Sequence, residues 1–331
     1  MKHFLPDGAI RLDRFLTDCY PEIGRSKWCA WILGGQVKVN GEVLMKAGTR
    51  VRSGSTVETR MPPLTPLTSN LDPEDIELPT IFEDEHLWVI DKPAGMVVHP
   101  SPGHSSGTVL NALLGRLSSN NIANKTTFED CDKETVRSIW PGLVHRLDRY
   151  TTGCLAVAKD AFSQRDLQLQ FKNRTVCKRY LALVRMSSKL PDVGFIQIDK
   201  PIARHKTNRL RMAVSISGRP SRTIVKILAQ ACGLALVECK LLTGRTHQIR
   251  LHLSHLGAPI LGDTLYGGAS LWLDAGKHLI SCLHPMLHAW KLSINHPVSG
   301  RQMHFTAPLP AHYLKILADL NIMTTCINDI S

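Results

Sequence analysis

Asp148 is the side chain whose setting most favours chemistry in this sequence of 331 residues. It lies between Arg146 and Arg149, and nearby guanidinium groups favour the ionised form of a carboxylate. The turn-prone segment 151–153, Thr-Thr-Gly, precedes an apolar run and places Asp148 on a loop at the edge of a sheet. An ionised carboxylate held there can act as a nucleophile or as a base. The simpler alternative is a surface ion pair.

The residues after this loop predict the elements that position it. Leu155 and Val157 alternate as in a strand, and Asp160 is suited to cap the helix that follows. Another strand comes after that helix. The apolar positions of the helix and of this second strand are Phe162, Leu167, Phe171, Tyr180, Ala182 and Val184.

The rest of the chain after residue 80 also predicts strands and helices in an irregular order. Residues 87–90 and 96–98 are short apolar runs around a Pro-Ala-Gly turn and predict two strands. The polar residues 118–135 predict a surface loop, residues 234–242 predict another strand, and Thr246 is suited to cap the next helix. Because strands and helices do not alternate regularly, we expect an α+β domain on a mixed, largely antiparallel β-sheet.

The N-terminal residues predict a small α+β unit of two helices and a hairpin. Apolar residues spaced three and four apart from Leu12 predict the first helix. Ser26 is suited to cap the second helix, which runs through Trp28 to the pair Gly34-Gly35. Asn40-Gly41 between alternating valines predicts the turn of the hairpin.

A proline-rich stretch divides the chain. Residues 61–80 contain five prolines and few large apolar side chains, which is typical of an extended linker. We therefore predict a first domain over residues 1–60, a linker over 61–80 and a larger domain over 81–331.

Composition favours a polyanionic partner and a reducing compartment. Lys and Arg number 40 against 28 Asp and Glu, and the formal net charge is +12, which favours nucleic acid without identifying it. Nine cysteines without a Cys-x-x-Cys pair predict reduced thiols and a cytoplasmic protein. No run approaches the roughly 18 apolar residues of a membrane span, so we expect no membrane anchor. Lys2, Asp7, Arg11 and Asp13 interrupt any apolar stretch at the N-terminus, so we expect no signal peptide.

The run from His145 to Gly153 resembles the signature of the RluA-type pseudouridine synthases. The resemblance extends from about residue 81 to residue 310. Residues 11–58 also resemble an S4-like RNA-binding domain, a combination that points to the RluD-like branch. The other stretches that carry the family resemblance are Asp91 to Pro100, Gly107 to Asn111, Lys178 to Tyr180, Thr243 to Arg250 and Gly262 to Gly267.

This resemblance implies an isomerase that converts uridine into pseudouridine in structured RNA. It implies Asp148 as the catalytic aspartate, Tyr180 as the aromatic ring against the target base, and Arg250 as the partner of the aspartate. The carboxylate either attacks C1′ of the ribose or assists loss of a ribose proton, and the sequence does not choose between these routes. Large-subunit ribosomal RNA is the expected partner. Transfer RNA stays open as an alternative substrate. The oligomeric state also stays open, and a monomer is compatible with the sequence.

Cationic and aromatic side chains are expected to contact this RNA. An extracted uridine leaves a gap in the RNA, and the guanidinium of Arg146 is suited to brace it because it both stacks and donates hydrogen bonds. His145 is suited to stack or to hold the loop, and a solvated surface is the simpler role for the N-terminal cations. The predicted RNA-binding residues are Arg146, His145, Arg245, Arg11, Arg14, Arg25, Lys27 and Lys38.

Two other classes of function fit parts of the sequence. Histidines after residue 246 lie near Asp263 and suggest a metal-dependent nuclease, but no His-Glu-x-x-His arrangement occurs. We therefore expect no metal, and the absence of Gly-rich phosphate motifs predicts no nucleotide cofactor either. A non-catalytic binding protein of ribosome assembly is the second alternative, and the intact set of Asp148, Tyr180 and Arg250 argues against it.

Overall fold

The computed structural model describes residues 2–4, 9–20, 25–59, 72–101, 103–122, 142–190, 194–273, 276 and 279–322. The chain divides into two compact units, 1–71 and 72–331. The division lies inside the stretch predicted as a linker, although residues 72–80 belong to the second unit. Within these described ranges, no helix is long and apolar enough to cross a membrane.

The first unit packs two helices against short antiparallel strands. Helices α1 (Leu12–Cys19) and α2 (Arg25–Leu33) contribute half of its buried core residues. Both turn residues, Asn40 and Gly41, have positive φ, as the predicted hairpin requires. The predicted order of helix, helix and hairpin is confirmed. The strands are β1 (Lys2–Phe4), β2 (Ile10–Arg11), β3 (Val37–Val39), β4 (Glu42–Val43), β5 (Arg50–Val51) and β6 (Thr56–Thr59).

The second unit is built on a ten-stranded sheet with helices around it. Its helices are α3 (Val109–Ile122), α4 (Ala161–Asn173), α5 (Gln248–His255) and α6 (Ala311–Asp319), with a 3₁₀ turn at Thr264–Tyr266. Its strands are β7 (Thr80–Glu83), β8 (Leu87–Lys92), β9 (Gly142–Leu143), β10 (Thr152–Ala158), β11 (Cys177–Arg185), β12 (Phe195–Asp199), β13 (Ile202–Arg204), β14 (Met212–Val214), β15 (Arg222–Ala231), β16 (Leu234–Leu241), β17 (Leu271–Leu273), β18 (Leu279–Ser281), β19 (Leu287–Asn295) and β20 (Gln302–Thr306).

The strand order confirms the predicted sheet type. The large sheet runs β12-β15-β16-β11-β19-β10-β8-β7, with β20 beside β19 and β9 beside β10. Among the described strands, β10 and β19 pair in parallel and their neighbours pair antiparallel. The sheet is therefore mixed and largely antiparallel. Two short hairpins, β13-β14 and β17-β18, lie apart from it.

Strand β10 and helix α4 confirm the local predictions made after Asp148. All seven residues of β10 are buried, as expected for a central strand. Asp160 caps α4, since its Oδ1 accepts a hydrogen bond of 2.8 Å from the backbone N–H of Ser163. Leu167 is buried, whereas Phe162 is exposed.

Gly153 lets β10 and β19 approach one another. It pairs with Ala289 and has a φ of 106°, which favours glycine. A Cβ atom here would collide with the backbone carbonyl of Ala289. The parallel pair that follows the Asp148 loop therefore depends on the absence of a side chain at position 153.

Four local predictions are wrong. Residues 96–98 form no strand, because the carbonyl groups of residues 97 and 98 accept hydrogen bonds from the first turn of α3. The predicted loop at 118–122 continues α3, because polar residues alone do not end a helix; the rest of that loop, up to residue 135, lies outside the described residues. Ser26 lies within α2, which begins at Arg25. Thr246 does not cap α5, since His247 occupies the cap position.

Candidate active site

Asp148 lies on the loop between β9 and β10, at one wall of a cleft of about 440 Å³. Its side chain is 20% exposed. The loop is fixed on both sides of the carboxylate, because Leu147 and Thr151 are buried. The carboxylate is therefore held at a defined position and still faces solvent.

Arg250 of α5 joins Asp148 to a second, fully buried carboxylate. Its Nη1 donates to Oδ2 of Asp148 at 3.3 Å, while its Nε and Nη2 donate to the two oxygens of Asp263 at 2.7 Å each. Burial lowers the pKa of Arg250, but the hydrogen bonds from its guanidinium to Asp263 prevail and raise that pKa above its ordinary value. The planar fork is thus fixed by Asp263 and presents one remaining N–H to Asp148.

Tyr180 lines the same cleft from β11. The ladder between β11 and β19 shifts register between Arg179 and Leu181, so Tyr180 occupies an irregularity of the strand. Such irregularities change the direction of a side chain beside active sites. Burial, with the charge of Asp148 acting in the same direction, raises the pKa of Tyr180 well above its ordinary value. The hydroxyl is therefore protonated, and the ring forms an apolar wall near the carboxylate.

His247 and Tyr266 form a further polar pair beside Asp148. Nε2 of His247 lies 3.9 Å from Oδ2 of Asp148, and Nδ1 lies 2.9 Å from the hydroxyl oxygen of Tyr266. That hydroxyl accepts a hydrogen bond of 2.7 Å from the backbone N–H of Met212. The ring of Tyr266 also lies 5.1 Å from the guanidinium carbon of Arg250.

The rest of the cleft is strongly cationic. Among the described residues that line the cleft, Asp148 is the one acidic side chain, and six lysine and arginine side chains give the lining a net positive charge. Burial lowers the pKa of Lys178, and burial together with neighbouring arginines lowers that of Arg245. This surface suits a chain of phosphates. The six cations are Arg146, Lys172, Arg174, Lys178, Arg245 and Arg250.

Gln248 holds the turn that carries Arg245 and His247. Its Oε1 accepts hydrogen bonds from the Thr243 hydroxyl and from the backbone N–H of Arg245, at 2.8 and 3.0 Å. Its Nε2 donates to the carbonyl of Arg222 and to the hydroxyl of Thr223. Since this buried amide uses both its donors and its acceptor, the turn is fixed by hydrogen bonds.

The predicted site residues of the second unit all reach the cleft. Arg146 is exposed, and both Arg146 and Arg245 line the cleft. His145 holds the loop, because its Nε2 accepts a hydrogen bond of 2.8 Å from the backbone N–H of Ala156. Its ring stacks on Phe171 with centroids 4.5 Å apart. Burial lowers the pKa of His145 to about 3, so the imidazole is neutral.

Two of the N-terminal cations predicted to contact RNA bind a buried carboxylate instead of standing free. Arg11 and Arg25 both donate to Asp13, with shortest distances of 3.0 and 2.7 Å. Arg14 is exposed and lies 4.0 Å from Asp18, and Lys38 is exposed on β3. The side chain of Lys27 lies outside the described residues. Their contact with RNA stays a prediction.

Several contributors to the cleft were not predicted from the sequence. Lys172 lies in the last turn of α4 and Arg174 caps its C-terminal end, where charged side chains are typical of a solvated surface. Asp263 lies in Gly262 to Gly267, one of the stretches that carry the family resemblance. Its ion pair with Arg250 joins α5 to a loop 13 residues away, and no sequence pattern predicted that pair. Among the residues that the structure describes, no group of three or more His, Cys, Asp or Glu side chains is placed to hold a metal ion.

Residues 86–255 match the protein family described as RNA pseudouridylate synthase. The chain is 38% identical to ribosomal large subunit pseudouridine synthase D of Xanthomonas campestris pv. campestris, over 96% of this chain and 91% of that protein. It is 39% identical to the protein of the same name from Nitrosomonas europaea, over 92% of this chain and 83% of that protein.

A solved structure shows the same fold. Human RNA pseudouridylate synthase domain containing 4 is similar over 73% of this chain and 93% of its own, with a TM-score of 0.54 and 24% identity. This likeness supports the fold alone. The family resemblance predicted from the residues around Asp148 is confirmed by the sequence relatives.

Proposed function

Because this chain belongs to the RNA pseudouridylate synthase family of isomerases, we propose that it forms pseudouridine in large-subunit ribosomal RNA with Asp148 as its catalytic residue. The two relatives named as ribosomal large subunit pseudouridine synthase D support the choice of RNA and the RluD-like branch. The observation that carries the catalytic assignment is the hydrogen bond of 3.3 Å from Arg250 to a partly exposed Asp148 in a cationic cleft.

The reaction moves a base without changing its composition. The bond between N1 of uracil and C1′ of ribose breaks, the base turns, C5 joins C1′, and the proton on C5 is exchanged for one on N1. Atoms and electrons balance within the nucleotide, so the conversion needs no oxidant and no external group. We accordingly propose that no cofactor takes part. The carboxylate of Asp148 either bonds to C1′ or removes a ribose proton, and both routes require it to be ionised and next to the sugar.

The neighbours of Asp148 support these steps. Arg250 donates a hydrogen bond of 3.3 Å to the carboxylate of Asp148 and holds it in place. Tyr180 provides a flat apolar surface on which the released uracil can pack while it turns. The target nucleotide must leave its stack to reach this cleft, and exposed Arg146 is placed to brace the RNA that remains. The other four cations of the cleft, Lys172, Arg174, Lys178 and Arg245, then bind the flanking phosphates.

The proposed substrate also places the protein where ribosomal RNA is made and assembled, which in bacteria is the cytoplasm. The free cysteines among the described residues are compatible with a reducing compartment.

A comparison of two aspartates tests the proposal. Wild type, Asp148→Asn and Asp319→Asn are incubated with uridine-containing large-subunit ribosomal RNA, and pseudouridine is mapped by carbodiimide labelling. Asp319 is exposed on α6 and serves as the matched control. We expect labelling with wild type and Asp319→Asn and none with Asp148→Asn. Equal labelling by all three proteins would refute the role of Asp148, and no labelling by wild type would refute the proposed substrate.

A further inference from the structure

His247 reaches Asp148 from a backbone conformation that few residues adopt. It has φ 55° and ψ 22°, in the left-handed region, and it precedes α5 without a side-chain hydrogen bond to the helix. Such conformations are energetically unfavourable and cluster at functional sites, where surrounding contacts impose them. The ring therefore has a role other than capping the helix.

The contact between Tyr266 and His247 favours one of the two neutral forms of the imidazole. The backbone N–H of Met212 already donates to the Tyr266 hydroxyl, so the hydroxyl proton is available for Nδ1 of His247 at 2.9 Å. A neutral imidazole that accepts at Nδ1 carries its proton on Nε2. Nε2 is the atom that faces Asp148.

The charges around His247 are compatible with this neutral form. Burial lowers its pKa, and Arg250 and Arg146 act in the same direction, while Asp148 and Asp263 oppose them. Tyr266, whose own pKa is raised mainly by burial, faces the ring from the other side. The ring therefore presents a neutral N–H donor to the carboxylate.

Arg250 and His247 approach the same oxygen of Asp148. Nη1 of Arg250 lies 3.3 Å and Nε2 of His247 lies 3.9 Å from Oδ2. Within the described residues, no hydrogen bond reaches Oδ1. The two oxygens thus differ, since Oδ2 accepts a hydrogen bond from Arg250 and lies near His247, whereas Oδ1 has neither neighbour.

We propose that His247 is a positioning residue: Tyr266 holds it in the Nε2–H form, and its N–H, together with Arg250, orients Oδ2 so that Oδ1 faces the ribose. This inference rests on the proposed function of Asp148. His247 and Tyr266 are therefore expected to affect the rate of the reaction on bound RNA and not the affinity for RNA.

One measurement tests the tautomer without any catalysis. Full-length protein labelled with ¹⁵N-histidine gives long-range ¹H–¹⁵N correlations that distinguish the two neutral forms, and His247→Asn assigns the signal. We expect the Nε2–H form in wild type and loss of that preference in Tyr266→Phe. A wild-type ring protonated at Nδ1 would overturn the proposal, whether or not the protein forms pseudouridine.

A second measurement separates chemistry from binding. Asparagine tolerates the left-handed backbone, so His247→Asn removes the ring with little added strain. We expect single-turnover formation of pseudouridine to slow on the order of tenfold, with unchanged Kd for RNA and unchanged melting temperature. His255→Asn, on the exposed side of the same helix, is the control and should match wild type.

The pair of residues should act as one unit. Tyr266→Phe should slow the reaction in the same way, and the double variant should be no slower than His247→Asn alone. Equal rates for wild type and His247→Asn, or a loss confined to RNA affinity, would contradict the proposal. If wild type formed no pseudouridine, the proposed function would be refuted. The ¹⁵N-histidine measurement would still test whether Tyr266 holds His247 in the Nε2–H form.

Discussion

Lys92 is joined to the catalytic loop through Arg149, because its Nζ donates to the backbone carbonyl oxygen of Arg149 at 3.0 Å. The same ammonium group donates to the carbonyl oxygens of Pro93 and Met96 at 2.7 and 2.8 Å. The residue is fully buried, and burial lowers its pKa to about 7 while Asp148 and Asp91 oppose that shift. One side chain therefore connects the end of β8 to the residue next to Asp148.

Replacement of Lys92 by methionine should loosen this loop. Three carbonyl oxygens would lose their shared donor, and we expect a loss of unfolding free energy of roughly 2–5 kcal/mol. Urea unfolding of the full chain measures this change, and the rate on bound RNA should fall with it. Lys189→Met, at an exposed position, is the control. Identical unfolding curves for the two variants would show that the three hydrogen bonds do not matter.

Replacement of Arg250 by lysine should impair the chemistry. An ammonium group cannot form the two parallel hydrogen bonds to Asp263 and also reach Asp148. We expect the single-turnover rate to fall about 10- to 1000-fold. Arg185→Lys, on an exposed side chain, should retain the wild-type rate. Full turnover by Arg250→Lys would show that the guanidinium geometry is dispensable.

The two cations at the C-terminal end of α4, Lys172 and Arg174, should control affinity for RNA rather than the rate of the reaction. In Lys172→Gln/Arg174→Asn, asparagine is chosen at 174 because that residue has a positive φ of 62°. We expect weaker RNA binding and a slope of log K against log salt that is smaller by roughly 0.7–0.9 for each lost phosphate contact. Fluorescence anisotropy at several salt concentrations measures both. Lys315→Gln on α6 removes an exposed charge elsewhere and should leave the slope unchanged.

The first unit should lose stability in acid through Asp13. Hydrogen bonds from Arg11 and Arg25 hold the pKa of this carboxyl well below its usual range, although burial opposes them. Because the folded pKa lies below the unfolded value of about 3.9, the stabilisation is complete above that value and is lost as the pH falls toward the folded pKa. Hydrogen exchange of peptides from α1 and α2, corrected for the intrinsic rate, should show protection that falls in this window.

Asp13→Asn provides the matched control for that titration. Its peptides should be less protected at pH 6 than those of wild type, because a buried amide cannot replace a carboxylate between two arginines. They should also lack the acid-dependent loss. An unchanged acid response in Asp13→Asn would assign the titration to another carboxyl group.

Short-range patterns in the sequence predicted local elements in both units. Asp160 caps α4 and Asn40-Gly41 forms its turn because each of these effects is decided within a few residues. The identity of Asp148, Tyr180 and Arg250 as neighbours came from the family resemblance, and the structure places all three at one cleft.

Contacts between distant residues explain what the sequence did not predict. Residues 96–98 look like a strand, but their carbonyl groups serve Lys92 and the start of α3. Asp13 pairs with both Arg11 and Arg25, and the contact of these two arginines with RNA stays a prediction. At residues 96–98, hydrogen bonds to other parts of the chain outweighed a local preference.

Gly153 makes the site vulnerable at a position that takes no part in the chemistry. Since even one methyl group there would push β10 away from β19, the hydrogen bond of 2.8 Å between Thr152 and His288 would be displaced together with the loop that carries Asp148. A genetic screen for loss of pseudouridine should therefore recover changes at this inert glycine as readily as changes at the carboxylate. Every possible amino-acid replacement at the position adds atoms to a space that is already filled.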